Sequence, residues 1–265
     1  MNLAIREWMM YGKTLEEKFQ NARKDGFLAV ELTGPNQRAR KGEVQKAMAS
    51  TGMKISICGG GAVFTAAKEK LSSVVASMTE SVEVAGELGA VGILVTPSFA
   101  FMPKEPLAPD LSPLCSARQL MYDANLKVAE LLGKAAEKAG VLVILEPLNR
   151  YETPVLNTLE QGMEMVEKVG HPNVKLMADF FHMHIEETDN AAAIKKAARY
   201  LANIHLADSN RCLPGTGHTN FVPGFAALKK AKYKYYLGME CSAGPNPAEG
   251  IPKSVKFLQE VWARA

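Results

Sequence analysis

The sequence predicts an α/β protein that folds as a single (β/α)8 TIM barrel, with residues 1–265 forming one domain. Short apolar runs alternate with longer amphipathic segments from one end of the chain to the other. There are eight such runs, whereas a doubly wound sheet would more often use about five to seven strands. The length of 265 residues also suits one barrel, which takes about 250 residues.

The apolar runs are predicted to be parallel strands and the segments between them helices. VLVIL, in the fifth run, is continuously apolar, as expected for a strand buried on both faces. A helix is predicted over residues 14–26, where Thr14 precedes Glu17 by three positions and Gly26 ends the pattern. Residues 116–140 and 158–172 repeat the helical pattern. The predicted strands are residues 3–9, 28–32, 54–58, 91–96, 141–146, 174–179, 203–207 and 235–240.

Composition and charge exclude several classes of protein. The chain has 31 basic and 28 acidic residues, a net charge of +3, which predicts neither a nucleic-acid nor a membrane partner. Arg6 and Glu7 interrupt the first apolar stretch, unlike a signal peptide, and no apolar run approaches 18 residues. We therefore expect a cytoplasmic protein. The four cysteines form no CxxC pair and no disulfide framework, which predicts a reducing compartment.

Two loops and a glycine run stand out between the predicted elements. Residues 97–113 contain five prolines and two phenylalanines, which suggests a lid or a binding surface. Residues 209–220 are rich in Gly, Asn and Pro, so their backbone can turn tightly beside a ligand. For both loops the alternative is a surface connection without a role. Gly59, Gly60 and Gly61 are either a tight turn at the barrel top or a phosphate cradle.

Four consecutive predicted strands end in side chains that can bind a metal ion. Their spacings of 33, 26 and 35 positions each correspond to one strand–helix unit, so all four lie at the same rim of the barrel. One such residue could be merely solvated, but four coincident ones favour a shared site, because a buried carboxylate needs a partner. Three carboxylates and one imidazole suit a hard or borderline ion such as Mn²⁺, Mg²⁺ or Co²⁺. The four residues are Glu146, Asp179, His205 and Glu240.

Three further polar residues are predicted near this set. Glu152 follows Glu146 by six positions, His182 follows Asp179 by three, and Arg211 lies in the glycine-rich loop. A carboxylate, a histidine and an arginine suit a ligand with several hydroxyl groups. The alternative for Glu152 or Arg211 is a surface salt bridge. The remaining histidines, His171, His184 and His218, are predicted to be surface or loop residues, with a role for His218 left open.

The segments ILEPLNRYET, MADFFHMHIEE, HLADSNRCLPGTGHTNF and GMEC occur in this order over residues 141–241. In sequence and spacing they resemble the xylose-isomerase-like TIM barrels, and most closely the ketose 3-epimerases that act on D-tagatose and D-psicose. In the first half of the chain, the resemblance extends only to the rhythm of strands and helices.

The resemblance implies one divalent metal ion, usually Mn²⁺, held by Glu146, Asp179, His205 and Glu240. Glu146 and Glu240 would also be the catalytic acid and base, while Glu152, His182 and Arg211 would bind the substrate. It further implies a hydrophobic pocket from the first half of the barrel, for which Trp8, Cys58 and Phe99 are candidates. A homodimer or homotetramer is expected on the same ground.

The predicted reaction is C3 epimerisation of free ketoses through a cis-enediolate. Removing a proton next to a ketone needs a carboxylate base and a cation near the developing negative charge. Two carboxylates facing each other across the sugar would allow the proton to return to the opposite face. If the proton returned elsewhere, the same site would isomerise an aldose and a ketose. Whether the substrate is phosphorylated stays open.

Other activities of the same barrel remain alternatives. Related sugar isomerases, hydroxypyruvate isomerase and inosose dehydratase share similar strand-end glutamates, and Arg211 with its loop favours the ketose epimerases over them. A nuclease of the endonuclease IV type is a remote alternative, since it needs histidines after strands three and four. Here these strands are followed by GGG and TPSF. A non-catalytic sugar-binding protein would not need two glutamates on the metal.

Overall fold

The structure is a computed structural model, and it describes residues 1–33, 36–66, 68–99 and 109–265. Eight parallel strands close into a barrel in the order of the sequence, from β1 to β8 and back to β1. The TIM barrel prediction is confirmed. The strands are β1 Leu3–Arg6, β2 Ala29–Leu32, β3 Lys54–Ala62, β4 Gly92–Thr96, β5 Leu142–Leu145, β6 Val174–Asp179, β7 Leu201–Leu206 and β8 Leu237–Met239.

Helices follow the strands and cover the outside of the barrel. One turn of 3₁₀ helix, Glu7–Met9, directly follows β1. Within the described part of the chain, the α-helices are α1 Leu15–Lys24, α2 Gln37–Thr51, α3 Leu71–Glu87, α4 Ala117–Ala139, α5 Leu159–Val169, α6 Phe180–Glu186, α7 Asn190–Ala197, α8 Phe221–Lys230 and α9 Pro247–Arg264. None of them is long and apolar enough to cross a membrane.

Each predicted helix begins directly after the first residue of its predicted range, and the third ends at Val169, three positions before its predicted end. Thr14 caps α1, where its hydroxyl accepts a hydrogen bond from the backbone nitrogen of Glu17 at 3.1 Å. Ser116 and Thr158 cap α4 and α5 in the same way. Gly140 and Gly170 end these two helices with a left-handed backbone, which glycine adopts without steric cost. The three predicted helices are confirmed.

The structure corrects the bounds of several predicted strands. The first run leaves the extended conformation after Arg6, because residues 7–9 turn into the 3₁₀ helix. The glycine run is not a separate turn, since Gly59, Gly60 and Gly61 continue β3 with a register shift against β4. A Cβ on Gly60 would lie 2.8 Å from the carbonyl oxygen of Leu94, so close contact between the strands requires glycine there. Residues 100–108 of the proline-rich loop lie outside the described residues.

Apolar side chains form one layer outside the barrel and a second one inside it. Polar side chains lie above the inner layer. The larger layer packs the outer faces of the strands against the helices. Cys58 belongs to it and is fully buried, so the structure contradicts its expected place in a sugar pocket. Inside the barrel, β3 to β7 each contribute one apolar side chain to a second cluster, formed by Ile57, Leu94, Ile144, Met177 and Ala202. The carboxyl ends of the strands are thereby left for polar groups.

Removing the side chain that caps α1 tests whether this cap stabilises the helix. Thr14→Ala leaves a backbone N–H of the first turn without its partner, so the free energy of unfolding should fall by about 1 kcal/mol in urea denaturation. Thr14→Ser keeps the hydroxyl and is the matched control. Equal stability of the alanine variant and the wild type would show that this cap does not hold α1.

Candidate active site

The four strand-end residues predicted as metal ligands lie together and buried at the carboxyl end of the barrel. Each contributes one ligand atom, and all four atoms lie within 4.8 Å of one another. Nδ1 of His205 faces the three carboxylates, at 2.9 Å from Oε2 of Glu240, 3.4 Å from Oε1 of Glu146 and 3.8 Å from Oδ2 of Asp179. The side chains come from β6, β7 and the residues directly after β5 and β8.

The donor set fits a divalent cation. Buried polar atoms normally have hydrogen-bond partners, yet Nδ1 of His205 and Oε1 of Glu146 have none among the described residues. Both atoms point into the space that the four residues share. Three carboxylates and one imidazole are ligands of hard or borderline ions. These four residues could therefore hold one metal ion.

Asp179 presents only one of its oxygens to this space. Its Oδ1 accepts a hydrogen bond from the backbone nitrogen of Phe181 at 2.8 Å and so caps α6. Oδ2 is directed towards His205 and His182 and contacts Nη1 of Arg211. Burial raises the pKa of Asp179, but Arg211 and the two histidines outweigh burial and lower the pKa overall. The carboxylate is thus kept ionised and ready to act as a ligand.

Two arginines hold the two oxygens of Glu240. Nε of Arg6 donates to Oε1 at 2.7 Å, and Nη2 of Arg211 donates to Oε2 at 2.6 Å. Burial raises the pKa of Glu240, but Arg6, His205 and Arg211 outweigh it and hold the pKa well below its usual range. Among the described residues, Glu146 has no such ion pair with an arginine or lysine. The two glutamates therefore differ in their surroundings.

Glu31, on β2, orients the imidazole of His205 from behind. Its Oε2 lies 2.9 Å from Nε2 of His205, and its Oε1 accepts a hydrogen bond from Nδ2 of Asn203 at 2.9 Å. The pKa of Glu31 is lowered, because His205 and Arg6 outweigh the effect of burial, so the ionised carboxylate only accepts. Nε2 of His205 must therefore carry the hydrogen, and Nδ1 is the atom turned towards the space shared with the three carboxylates.

The remaining predicted residues lie at the mouth of this space. Nδ1 of His182 accepts a hydrogen bond from the backbone nitrogen of Asn149 at 3.2 Å, so its Nε2 carries the hydrogen. That Nε2 faces Asp179 at 3.6 Å and Glu146 at 3.9 Å. Glu152 is connected to the same histidine through Asn149, whose Nδ2 lies 2.9 Å from Oε1 of Glu152 and 2.8 Å from Nδ1 of His182.

The glycine-rich loop is shaped around one buried carboxylate. Asp208 accepts hydrogen bonds from the backbone nitrogens of Ser209, Gly215 and Thr219 at 2.8–2.9 Å. These bonds outweigh burial and lower the pKa of Asp208. Arg211 takes a left-handed backbone with φ of 58°, and its guanidinium lies over the ring of Phe181 at 4.8 Å. The loop therefore presents Arg211 towards Asp179 and Glu240.

The candidates for a hydrophobic pocket lie in different places. Trp8 is 56% exposed and lines a cleft of about 570 Å³ together with Arg211. Phe99 ends a described range, where its backbone nitrogen donates to the carbonyl oxygen of Phe64. Cys58, as described above, lies in the core outside the barrel.

Sequence reasoning did not identify several residues that organise the site. Arg6 and Glu31 both lie in apolar runs that were predicted as strands, so a charged residue within such a run was the available signal. Asn149 and Asp208 lie within the segments ILEPLNRYET and HLADSNRCLPGTGHTNF, but their roles depend on tertiary contacts. No periodicity reveals these contacts.

Loss of Glu31 should weaken metal binding. Glu31→Ala removes the acceptor that orients His205, and such changes cost about 10–100-fold in metal affinity. Titration of Mn²⁺ monitored by the electron paramagnetic resonance of the free ion measures the dissociation constant directly. Glu43→Ala, on an exposed position of α2, is the matched control. Unchanged Mn²⁺ affinity in a folded Glu31→Ala protein would contradict the orienting role.

Comparison with known proteins finds sugar epimerases that are similar to this chain. It is 28% identical over 265 residues to a 3-dehydro-D-guloside 4-epimerase of Escherichia coli, covering 98% of this chain and 99% of the relative. It is 30% identical over 256 residues to an L-ribulose 3-epimerase of Mesorhizobium japonicum, covering 94% of this chain and 82% of the relative.

A crystal structure of a 3-keto-D-glucoside 4-epimerase from E. coli superposes with a TM-score of 0.86 at 25% identity, covering 98% of this chain and 99% of that one. The sequence profile of the xylose isomerase-like TIM barrel matches residues 19–261. These relatives are isomerase-class enzymes. The chain therefore belongs to the xylose isomerase-like TIM barrel family, with sugar epimerases as its relatives.

Proposed function

We propose that this protein is a divalent-metal-dependent epimerase that inverts free ketoses at C3, next to the ketone, through a cis-enediolate. The observation that carries the proposal is the order of the four buried ligands around the barrel. Glu146 follows β5 and Glu240 follows β8, while Asp179 and His205 lie on the two strands between them. The two glutamates are thus the outer members of the set and can face a substrate from two sides.

This arrangement supports proton transfer at carbon by two bases. A proton on the carbon next to a ketone is a very weak acid, so its removal needs a carboxylate held close to it. A bound metal ion would supply positive charge beside the substrate oxygens. One glutamate takes the proton from one face of C3, and the other glutamate returns a proton to the opposite face. The configuration at C3 is thereby inverted.

The residues at the mouth are proposed to bind the sugar hydroxyls. His182 offers a hydrogen on Nε2, and Arg211 offers several N–H groups from a loop that Asp208 holds in place. Glu152 offers a carboxylate and shares Asn149 with His182, so the two side chains are held in one arrangement. Donors and acceptors together match a hydroxyl group, which both donates and accepts.

A second candidate is epimerisation at C4 of a glycoside that carries a ketone at C3. The E. coli sequence and the E. coli crystal structure with this type of name each match 98% of the chain, and 99% of each is covered. The L-ribulose 3-epimerase is covered over 82% of its length. The chemistry is the same in both cases, since the reacting carbon bears a hydroxyl group and lies next to a ketone. The two candidate substrates differ in the groups attached to the ketone and to the hydroxyl-bearing carbon.

We further propose Mn²⁺ as the metal ion, with Mg²⁺ or Co²⁺ as alternatives, because three of the four ligands are carboxylates. The partner is a small sugar rather than a nucleic acid, which agrees with a net charge of only +3. All four cysteines are free, which supports the proposed cytoplasmic location. We also propose that the protein forms a homodimer or a homotetramer.

Isotope exchange with glutamine variants tests the proposed reaction. The Mn²⁺-loaded protein in D₂O should introduce deuterium at C3 of D-fructose, D-tagatose, D-psicose or L-ribulose, as followed by NMR. Glu146→Gln and Glu240→Gln should each lower the turnover rate by about 10²–10⁴-fold, because the amide cannot act as a base. Glu43→Gln on the surface of α2 is the matched control.

The products separate the alternatives. No exchange at C3 of any ketose would overturn the ketose 3-epimerase proposal, whereas exchange at C4 of methyl 3-keto-D-glucoside would establish the second candidate. Formation of an aldose, or loss of water, would instead identify an isomerase or a dehydratase. Near-normal turnover in either glutamine variant would remove that glutamate from the acid–base role.

A further inference from the structure

A cleft of about 860 Å³ lies beside the candidate active site, in the first half of the barrel. Arg6, which donates to Glu240, forms its inner end. From there the cleft runs past the glycines of β3 and reaches the side of α3 at Ser77 and Ser81. Its volume lies in the upper part of the range of about 300–1,000 Å³ for small-molecule sites. Of the residues described at the candidate active site, Arg6 alone lines this cleft, so the cleft is space in addition to that site.

The wall of this cleft carries many polar groups, and its two arginines are already paired with carboxylates. Hydroxyl groups of Thr33, Ser77 and Ser81 line it together with the glycine backbone. Arg38 also lies on the wall, but it forms ion pairs with Glu80, Glu83 and Glu87. Arg6 is likewise engaged by Glu240 and Glu31. Both arginines are therefore committed, which favours a neutral ligand over a phosphate.

The same wall offers little apolar side-chain surface to a ligand. None of the described lining residues is aromatic, and of the four aliphatic ones Ala39 and Ala62 are small, while Val84 and Leu94 are almost fully buried. A polar, uncharged and extended ligand that begins at a sugar-binding site is most simply a second sugar. Its hydroxyl groups can exchange hydrogen bonds with serine, threonine and backbone groups.

We propose that this cleft is a subsite for a second sugar unit attached to the one that reacts, so that the preferred substrate is a glycosylated keto sugar. The inference rests on the proposed function for the reacting unit and deepens it by naming what the substrate carries. It applies to both candidate reactions. For the first reaction, the ketose would carry a glucosyl group on O6. For the second, the keto glycoside would carry glucose as its aglycone.

Matched substrate pairs test the subsite. One pair is D-fructose and 6-O-glucosyl-D-fructose, and the other is methyl 3-keto-D-glucoside and cellobiose oxidised to the ketone at C3 of its non-reducing unit. In the pair that the enzyme turns over, kcat/KM should be at least about tenfold higher for the disaccharide, equivalent to about 1.4 kcal/mol. Equal values, or a preference for the shorter sugar, would overturn the inference.

Filling the cleft should remove this preference. Ser77→Trp places a large side chain on the exposed wall at α3, so the disaccharide-to-monosaccharide ratio of kcat/KM should fall about tenfold. Ser72→Trp, exposed on the same helix but not among the lining residues, should leave the ratio unchanged. If Trp8→Ala abolished the preference and Ser77→Trp did not, the second sugar would lie in the cleft beside Arg211 and the inference would be wrong.

A binding measurement separates this inference from the proposed function. Calorimetric titration of the Mn²⁺-loaded protein with cellobiose and with glucose needs no turnover. Cellobiose should bind at least about tenfold more tightly, and Ser77→Trp should abolish the difference. Such binding without epimerisation of any substrate would leave the subsite standing and overturn the proposed reaction. Epimerisation together with equal binding of cellobiose and glucose would leave the proposed reaction standing and overturn the subsite.

Discussion

Three carboxylates and a histidine share one buried space at the end of the barrel, and the rest of the site is arranged around this concentration of charge. Bringing carboxylates together out of water is unfavourable unless cations compensate them. Arg6 and Arg211 provide the compensation by holding the two oxygens of Glu240, and Arg211 also contacts Asp179. Glu31 in turn holds Arg6 and His205. Removing any one of these charges alters the balance of the others.

The barrel places these charges where they can meet. Its lower interior is filled by apolar side chains from β3 to β7, so polar side chains collect at the carboxyl ends of the strands. The close approach of Glu31 also depends on backbone space. A Cβ on Gly238 of β8 would lie 2.3 Å from Oε1 of Glu31, so only glycine admits this carboxylate at that position. The position of Glu31 behind His205 thus depends on the register of β8 as well as on charge.

Sequence reasoning predicted the barrel and the cluster of Glu146, Asp179, His205 and Glu240, because both follow from patterns along the chain. Alternating apolar runs predicted the number of strands, and a polar residue at the end of each late strand predicted the cluster. It did not predict the pairing of Arg6 with Glu240, separated by 234 positions, or of Glu31 with His205, separated by 174. Such contacts exist only once the barrel closes. Cys58, a candidate for the hydrophobic pocket, instead packs in the core outside the barrel, because the face on which a strand residue lies depends on the register shift between β2 and β3, which the sequence does not show.

Anomalous diffraction from crystals of the Mn²⁺-loaded protein would locate the metal ion at once. We expect one manganese ion, coordinated by Glu146, Asp179, Glu240 and Nδ1 of His205, with Nε2 of His205 still paired with Glu31. A manganese ion bound elsewhere, or bound through Nε2 after His205 has turned away from Glu31, would contradict this expectation.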